Sequence, residues 1–114
     1  MAIVKLRFVK HVQNLVRYVM SEKGADDPMT VHNVDEQDPT KDFAAMAEFH
    51  KGKGTITALH IVQSWGADES KKLAPSEFNA LGKRLIEAKF PGHAFAVVTH
   101  TDTGKVHNHI VVSP

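Results

Sequence analysis

The 114-residue chain contains no cysteine and only one tryptophan and one tyrosine. The absence of cysteine excludes disulfide bonds and thiolate ligands, so a metal ion would have to be bound by histidine, carboxylate or carbonyl groups. No apolar run approaches the ~18 residues of a membrane span, which excludes a transmembrane helix. Lys5 and Arg7 interrupt the apolar N-terminus, so we expect no secretory signal and a location in the cytoplasm.

Charge is distributed unevenly along the chain, although the formal net charge is only +1. Residues 25–48 contain seven acidic residues and one lysine, whereas the rest of the chain contains thirteen bases and six acids. A basic body with one acidic segment suits a polyanionic partner. Charge counting alone nevertheless favours the alternative, which is ordinary solvated surface charge.

The spacing of apolar residues predicts eight elements in the order β-α-β-α-β-α-β-β. Helices are predicted to begin near Val12, Pro39 and Pro75, with Asp38 as the cap of the second helix. Strands are predicted at residues 3–9, 30–34, 55–65, 94–101 and 105–112. We therefore predict a single α+β domain over residues 1–114, with an antiparallel-rich central sheet of about five strands and helices packed on one face.

The last two predicted strands bring three histidines together. If residues 103–104 form a two-residue turn, His100 lies directly across from His107, with Cβ atoms ~5 Å apart, and His109 lies diagonally at ~7–8 Å. Because side chains alternate between the faces of a strand, all three imidazoles point to one face. Three nitrogen ligands with open positions can hold a metal ion. Asp102 shares this face and can accept the outer N–H of a ligating imidazole.

The opposite face of the same hairpin is apolar and is predicted to pack against the helices. Asn108 is a polar exception on this face and needs a hydrogen-bond partner there. The alternative interpretation is that the histidines are ordinary surface residues of a strand. A third histidine brought in by a tight turn, with an acid beside it, favours a site. The apolar residues of this face are Phe95, Val97, Val106, Ile110 and Val112.

Tyr18, the only tyrosine, lies about 130° away from the apolar stripe of its predicted helix, beside Arg17. Such a tyrosine is either an amphipathic surface residue or a presented nucleophile. A phenol needs help from a metal or another cation to react at neutral pH. Arg17 and the histidine site would supply that help if the helix packs beside the last hairpin.

Taken together, these residues resemble the relaxase (mobilisation nuclease) family, within the endonucleases named for a His-hydrophobe-His motif. Residues 14–19 (Asn-Leu-Val-Arg-Tyr-Val) resemble the first motif, with Tyr18 at the nucleophile position. Residues 60–65 (His-Ile-Val-Gln-Ser-Trp) resemble the second motif, where the family often has His-x-x-x-Ser-Phe. Residues 100–112 resemble the third motif, including the acid two residues after its first histidine.

The resemblance implies site- and strand-specific nicking of DNA at the transfer origin of a plasmid or mobile element. Tyr18 would attack the scissile phosphate and stay joined to the 5′ end until a later transesterification rejoins the strand. A divalent ion on His100, His107 and His109 would stabilise the developing negative charge. The family favours Mg²⁺ or Mn²⁺, whereas three imidazoles also suit Zn²⁺ or Ni²⁺. Asp102 would orient His100.

The second motif implies that Ser64 contacts DNA near the cut. His60 matches the same motif as a DNA-binding residue, and a purely structural role for it stays open. Arg17 is expected to join these contacts, and basic residues elsewhere would bind phosphates in a salt-dependent way. The implied partners are single-stranded DNA of the transfer origin and accessory transfer proteins, with no membrane.

The resemblance covers nearly the whole chain, with two departures. Asn108 stands where the family has a hydrophobe, and the sequence stops five residues after His109, whereas family domains usually continue. We therefore expect a nuclease domain that is truncated at its C-terminus, as a trimmed, compact or decayed relative. Two other functions stay open: a non-catalytic DNA-binding or replication-accessory protein that keeps the fold, and a small metal-binding protein or hydrolase.

Overall fold

A computed structural model describes residues 2–49, 57–101 and 104–113. The eight predicted elements are present in the predicted order, with one additional 3-10 turn at Glu69–Lys71. The predicted end of the second helix at His50, the start of the third strand and the turn residues Asp102 and Thr103 lie outside the described residues. None of the helices in these ranges is long and apolar enough to span a membrane. The strands are β1 (Ile3–Val9), β2 (Met29–His32), β3 (Ala58–Ser64), β4 (Phe95–His100) and β5 (His107–Val112), and the helices are α1 (Val12–Ser21), α2 (Pro39–Phe49) and α3 (Pro75–Lys89).

The five strands form one sheet in the order β1-β3-β5-β4-β2. Each neighbouring pair is antiparallel. β4 and β5 form a hairpin at the middle of the sheet, while β1 and β2 are its two edges. The α+β class and the antiparallel-rich sheet of five strands are therefore confirmed.

The sheet has one face covered by α3 and one face that carries the histidines, hereafter the α3 face and the histidine face. On the α3 face, Ile86 packs in one apolar cluster with Phe95, Val97 and Ile110, which is the face that the sequence predicted for helix packing. α1 and α2 lie on the histidine face. The strands present small or β-branched side chains on this face, and the apolar stripes of the two helices pack against them. This cluster contains Ala58, Ala96 and Val111 of the strands with Val12, Val16 and Phe43 of the helices.

Helix starts follow the local chemistry expected from the sequence. The Oδ1 atom of Asp38 accepts the backbone N–H of Lys41 at 3.2 Å, which caps α2 as predicted. Pro75 opens α3, and the Oε1 atom of Glu77 accepts the N–H of Ala74 at 3.0 Å. These caps fix where α2 and α3 begin relative to the strands that they cover.

Asn108 is completely buried on the α3 face, and both its amide oxygen and its amide nitrogen are hydrogen-bonded. Its Oδ1 atom accepts the hydroxyl of Thr99 at 2.5 Å, while its Nδ2 atom donates to Oε1 of Gln63 at 3.0 Å and to the carbonyl of Phe78 at 2.8 Å. α3 approaches closely because position 82 is glycine, where a Cβ atom would lie 2.7 Å from Nδ2 of Asn108. One side chain thus ties β3, β4 and α3 to β5.

Replacing Asn108 by leucine leaves the Thr99 hydroxyl, the Gln63 amide and the Phe78 carbonyl without this partner. We expect Asn108→Leu to lower the free energy of unfolding by about 3 kcal/mol, since unsatisfied buried polar groups cost ~1–3 kcal/mol each. Urea denaturation measures the change. Asn14→Leu, on the exposed side of α1, is the matched control and should change stability by less than about 0.5 kcal/mol. Equal losses in both variants would contradict this account of the network.

Candidate active site

The β4–β5 hairpin gathers three imidazoles on the histidine face. His100 pairs directly with His107, which is the register predicted from the sequence, and Gly104 in the connecting turn has a φ angle of 76°. The ring centroids of His100 and His107 are 5.1 Å apart, and His109 lies 4.7 Å from His100 and 5.1 Å from His107. One ligating nitrogen from each ring lies within 4.8 Å of the other two. The three side chains are thus arranged so that they can hold one metal ion.

Backbone carbonyls orient two of these rings. The Nε2 atom of His100 lies 3.3 Å from the carbonyl oxygen of Val19 in α1, and Nδ1 of His107 lies 3.3 Å from that of Lys105. Because a carbonyl oxygen only accepts, both contacting nitrogens must carry the proton. In the neutral form of each ring, the lone pair is then on Nδ1 of His100 and on Nε2 of His107.

The environment keeps the third ring uncharged. His109 is 8% exposed. Burial, followed by the neighbouring imidazoles of His100, His60 and His107, lowers the pKa of His109 to about 3. Burial and the nearby cation of Arg7 also lower the pKa of His60. A neutral imidazole has a lone pair at pH 7, and this is the form that binds metal ions. The donor set therefore suits a divalent ion.

α1 brings Tyr18 to the same face. Val12, Val16 and Val19 form the buried stripe of this helix, whereas Tyr18 is 54% exposed, as its position off the stripe predicts. The tyrosine ring meets the ring of His109 edge to face, with the centroids 6.1 Å apart. The helix therefore packs beside the last hairpin, which is the arrangement that a tyrosine nucleophile needs.

The remaining predicted site residues have different positions. Ser64, at the end of β3, is the direct cross-strand neighbour of His107. His60 lies further along β3, and its Nε2 atom is 2.9 Å from Nδ1 of His109. Arg17 is exposed on α1. Asp102 lies outside the described residues, so its role in orienting His100 stays a prediction.

Sequence reasoning missed two features of this site. The first is the contact of His60 with His109, and the second is Arg7, which pairs with His60 across β1 and β3. Alternation along β1 puts Lys5 and Arg7 on the same face of that strand, but only the pairing with β3 shows that this is the histidine face. The sequence therefore indicated that Lys5 and Arg7 share one face of β1, but it did not indicate that this face carries the histidines.

Trp65 fixes the end of β3 from the opposite side of the sheet. It stands where the second motif often has phenylalanine, and its ring packs against Phe78 of α3 with centroids 4.7 Å apart. Its backbone N–H donates to the carbonyl of Val106 at 3.1 Å. The preceding residue, Ser64, is thereby held beside His107 at the start of β5.

Comparison with known proteins agrees with this geometry. Residues 18–114 match the family model described as "Relaxase: MobA/VirD2-like, nuclease domain". The match covers most of the chain and begins at Tyr18. The chain belongs to this family of relaxase nuclease domains.

The relatives are longer than this chain. Two proteins from Staphylococcus aureus, both described as "Protein rlx", are 35% and 32% identical to it over 114 and 113 residues. Each alignment covers 99% of this chain, but only 32% and 34% of the respective relative. The chain thus spans about a third of the length of the curated relatives that it matches.

A solved structure described as "Molecular Basis of Vancomycin Resistance Transfer in Staphylococcus aureus" has a similar fold. Its TM-score is 0.66 at 14% sequence identity, and the superposition covers 99% of this chain and 70% of that chain. At this identity the similarity concerns the fold, which agrees with the α+β architecture described above.

The histidine geometry predicts a metal site that can be measured directly. We expect calorimetric titration with Mn²⁺ to show one binding event, weakened at least about tenfold by His107→Ala, since loss of a residue that merely supports a ligand already costs ~10–100-fold. The matched control is His32→Ala, an exposed histidine paired with Phe95 of the α3 face. Unchanged Mn²⁺ affinity in His107→Ala would exclude the three-histidine site.

Proposed function

We propose that this domain nicks one strand of DNA at a transfer origin, with Tyr18 as the nucleophile and a divalent metal ion on His100, His107 and His109. The observation that carries the proposal is the edge-to-face contact between Tyr18 and His109, with centroids 6.1 Å apart. It brings a half-exposed phenol to the rim of three imidazoles whose nitrogens can share one ion. Membership of the relaxase nuclease family supports the same function.

The proposed reaction is a transesterification. The Oη atom of Tyr18 forms a bond to the scissile phosphorus, and the bond from phosphorus to the 3′ oxygen breaks. The phenol gives up its proton, and the leaving 3′ oxygen takes up a proton to become a hydroxyl. Since one phosphodiester replaces another, the energy needed for rejoining the strand is conserved in the 5′-phosphotyrosyl bond.

The protein's own groups prepare this reaction. His100, His107 and His109 would hold a divalent ion, Mg²⁺ or Mn²⁺ being typical of the family, and such an ion would supply positive charge that stabilises the transition state. The carbonyls of Val19 and Lys105 accept from Nε2 of His100 and Nδ1 of His107, which orients both imidazoles. Ser64 is proposed to donate a hydrogen bond to the DNA near the cut, which its position directly across from His107 supports. Asp102 is proposed to support the orientation of His100 through its negative charge, because the Nε2–H of that ring already donates to the carbonyl of Val19.

The open part of the histidine face supports single-stranded DNA as the partner. Lys5 and Arg7 lie exposed on β1 and pair with Val62 and His60 of β3. Neighbouring strands are ~4.8 Å apart, so Lys5 and His109, which both pair with Val62, are about two strand spacings apart. Lys5 and Arg7 are thus close enough to the three histidines to bind phosphates that flank the scissile one. Arg17 is proposed to contact the same DNA. The reaction is proposed to take place in the cytoplasm, with accessory transfer proteins as further partners.

The nucleophile is tested by looking for the covalent adduct. We expect labelled single-stranded origin DNA, incubated with the protein and Mn²⁺, to give a protein–DNA adduct on a denaturing gel. Tyr18→Phe should abolish the adduct and keep Mn²⁺ affinity, since it removes only the attacking oxygen. DNA binding without an adduct under any divalent metal would instead favour a non-catalytic accessory protein, and an adduct in Tyr18→Phe would contradict the role of Tyr18.

The DNA surface predicts a change in salt dependence. Each phosphate contact on a single strand contributes ~0.7 to the slope of log affinity against log salt. We expect Arg7→Ala to weaken binding of a single-stranded oligonucleotide and to reduce this slope by about that amount. Arg84→Ala, exposed on α3 at the other side of the sheet, should leave both unchanged. Identical slopes for wild type and Arg7→Ala, measured by fluorescence anisotropy, would exclude this surface.

A further inference from the structure

His60 makes an imidazole–imidazole contact with the candidate metal centre. The Nε2 atom of His60 lies 2.9 Å from Nδ1 of His109. The two rings are nearly parallel, with an interplanar angle of 16° and centroids 5.2 Å apart. Val62 is the direct cross-strand partner of His109, so His60 reaches it diagonally across β3 and β5. At 2.9 Å one of the two nitrogens must donate a proton to the other.

This contact differs from those of the other two histidines in the group. His100 and His107 face backbone carbonyls, which only accept, so their tautomers are fixed by the main chain. An imidazole can donate or accept, and the contact of His60 with His109 therefore allows two arrangements. Which arrangement is present decides whether His109 can bind a metal ion.

Only one arrangement leaves a metal ligand on His109. If Nδ1 of His109 donates its proton to Nε2 of His60, then Nε2 of His109 has a free lone pair. If the proton runs the other way, neutral His109 carries its proton on Nε2, which closes that nitrogen to a cation. Because Nδ1 is occupied by His60 in both cases, Nε2 is the ligand atom that remains for the three-histidine group.

We infer that His60 is a positioning residue, which accepts the Nδ1–H of His109 and so presents the Nε2 lone pair of His109 to the metal. The inference rests on the metal site of the proposed function. It assigns His60 a role different from the DNA contact implied by its motif, since the ring nitrogen facing the centre is already occupied. His60 would thus fix the tautomer of His109 by accepting its N–H. Backbone carbonyls do the same for the other two histidines of the group.

A pair of substitutions separates this role from simple packing. In His60→Gln the side-chain carbonyl oxygen can accept the Nδ1–H of His109, whereas in His60→Leu no acceptor remains. We expect His60→Leu to raise the dissociation constant for Mn²⁺ by ~10–100-fold, and His60→Gln to stay within about threefold of wild type. His32→Leu, an exposed histidine that pairs with β4 on the α3 face, is the matched control and should have no effect.

The tautomer itself gives a readout that needs neither metal nor DNA. Nitrogen-15 NMR of the metal-free protein should show His109 protonated on Nδ1 in wild type and in His60→Gln. His60→Leu should shift the population towards the Nε2–H form, and a thermal melt checks that this variant is folded. Wild-type His109 protonated on Nε2, or equal Mn²⁺ affinity in wild type and His60→Leu, would overturn the inference.

These outcomes are independent of the nicking assay. If Tyr18→Phe fails to abolish the adduct while His60→Leu loses metal affinity, the proposed nucleophile is wrong and the role of His60 stands. If the adduct behaves as proposed while His109 is protonated on Nε2, the nuclease proposal stands and the inference about His60 falls.

Discussion

The alternation of side chains along β5 is the constraint on which the candidate site depends. Asn108 is buried on the α3 face, where hydrogen bonds to β3, β4 and α3 fix both its depth and its position along the strand. Its neighbours His107 and His109 must therefore point to the opposite face. A slip by one residue would bury two imidazoles under α3 and expose the amide, at the cost of every polar contact in this network. The candidate metal ligands are thus placed by a neighbouring residue whose side chain points to the opposite face of the sheet.

Helix α1 couples two parts of the proposed chemistry. Val19 lies in its buried stripe and accepts a hydrogen bond from His100, while the preceding residue, Tyr18, meets His109 at the rim. Both contacts depend on how the apolar stripe of α1 packs on the sheet. A displacement of the helix would therefore move the proposed nucleophile and one candidate ligand together. The packing of α1 and α2 on the histidine face, against Ala58, Ala96 and Val111, is what makes this coupling possible.

Sequence patterns predicted what is local and missed what depends on distant pairing. Alternation and a tight turn were sufficient to predict the register of His100 with His107, because both strands belong to one hairpin. The order β1-β3-β5-β4-β2 has no comparable local signal, since β1 meets β3 across α1, β2 and α2. The positions of His60 beside His109 and of Arg7 beside His60 follow from that order alone. The same holds for the division of the helices between the two faces.

The uneven charge of the sequence gives the two edges of the sheet different charges. The segment 25–48, which carries seven acids and one lysine, contains β2, an edge strand of the sheet, and most of α2. Lys5 and Arg7 lie on β1 at the other edge, with the three histidines on the strands between. A polyanion approaching the histidine face is repelled from the β2 edge and attracted to the β1 edge. It would therefore cross β3 towards β1, past Ser64 and His60, rather than over α2. Long-range charge thus favours the β1 side of the histidine face for a polyanion that approaches this surface.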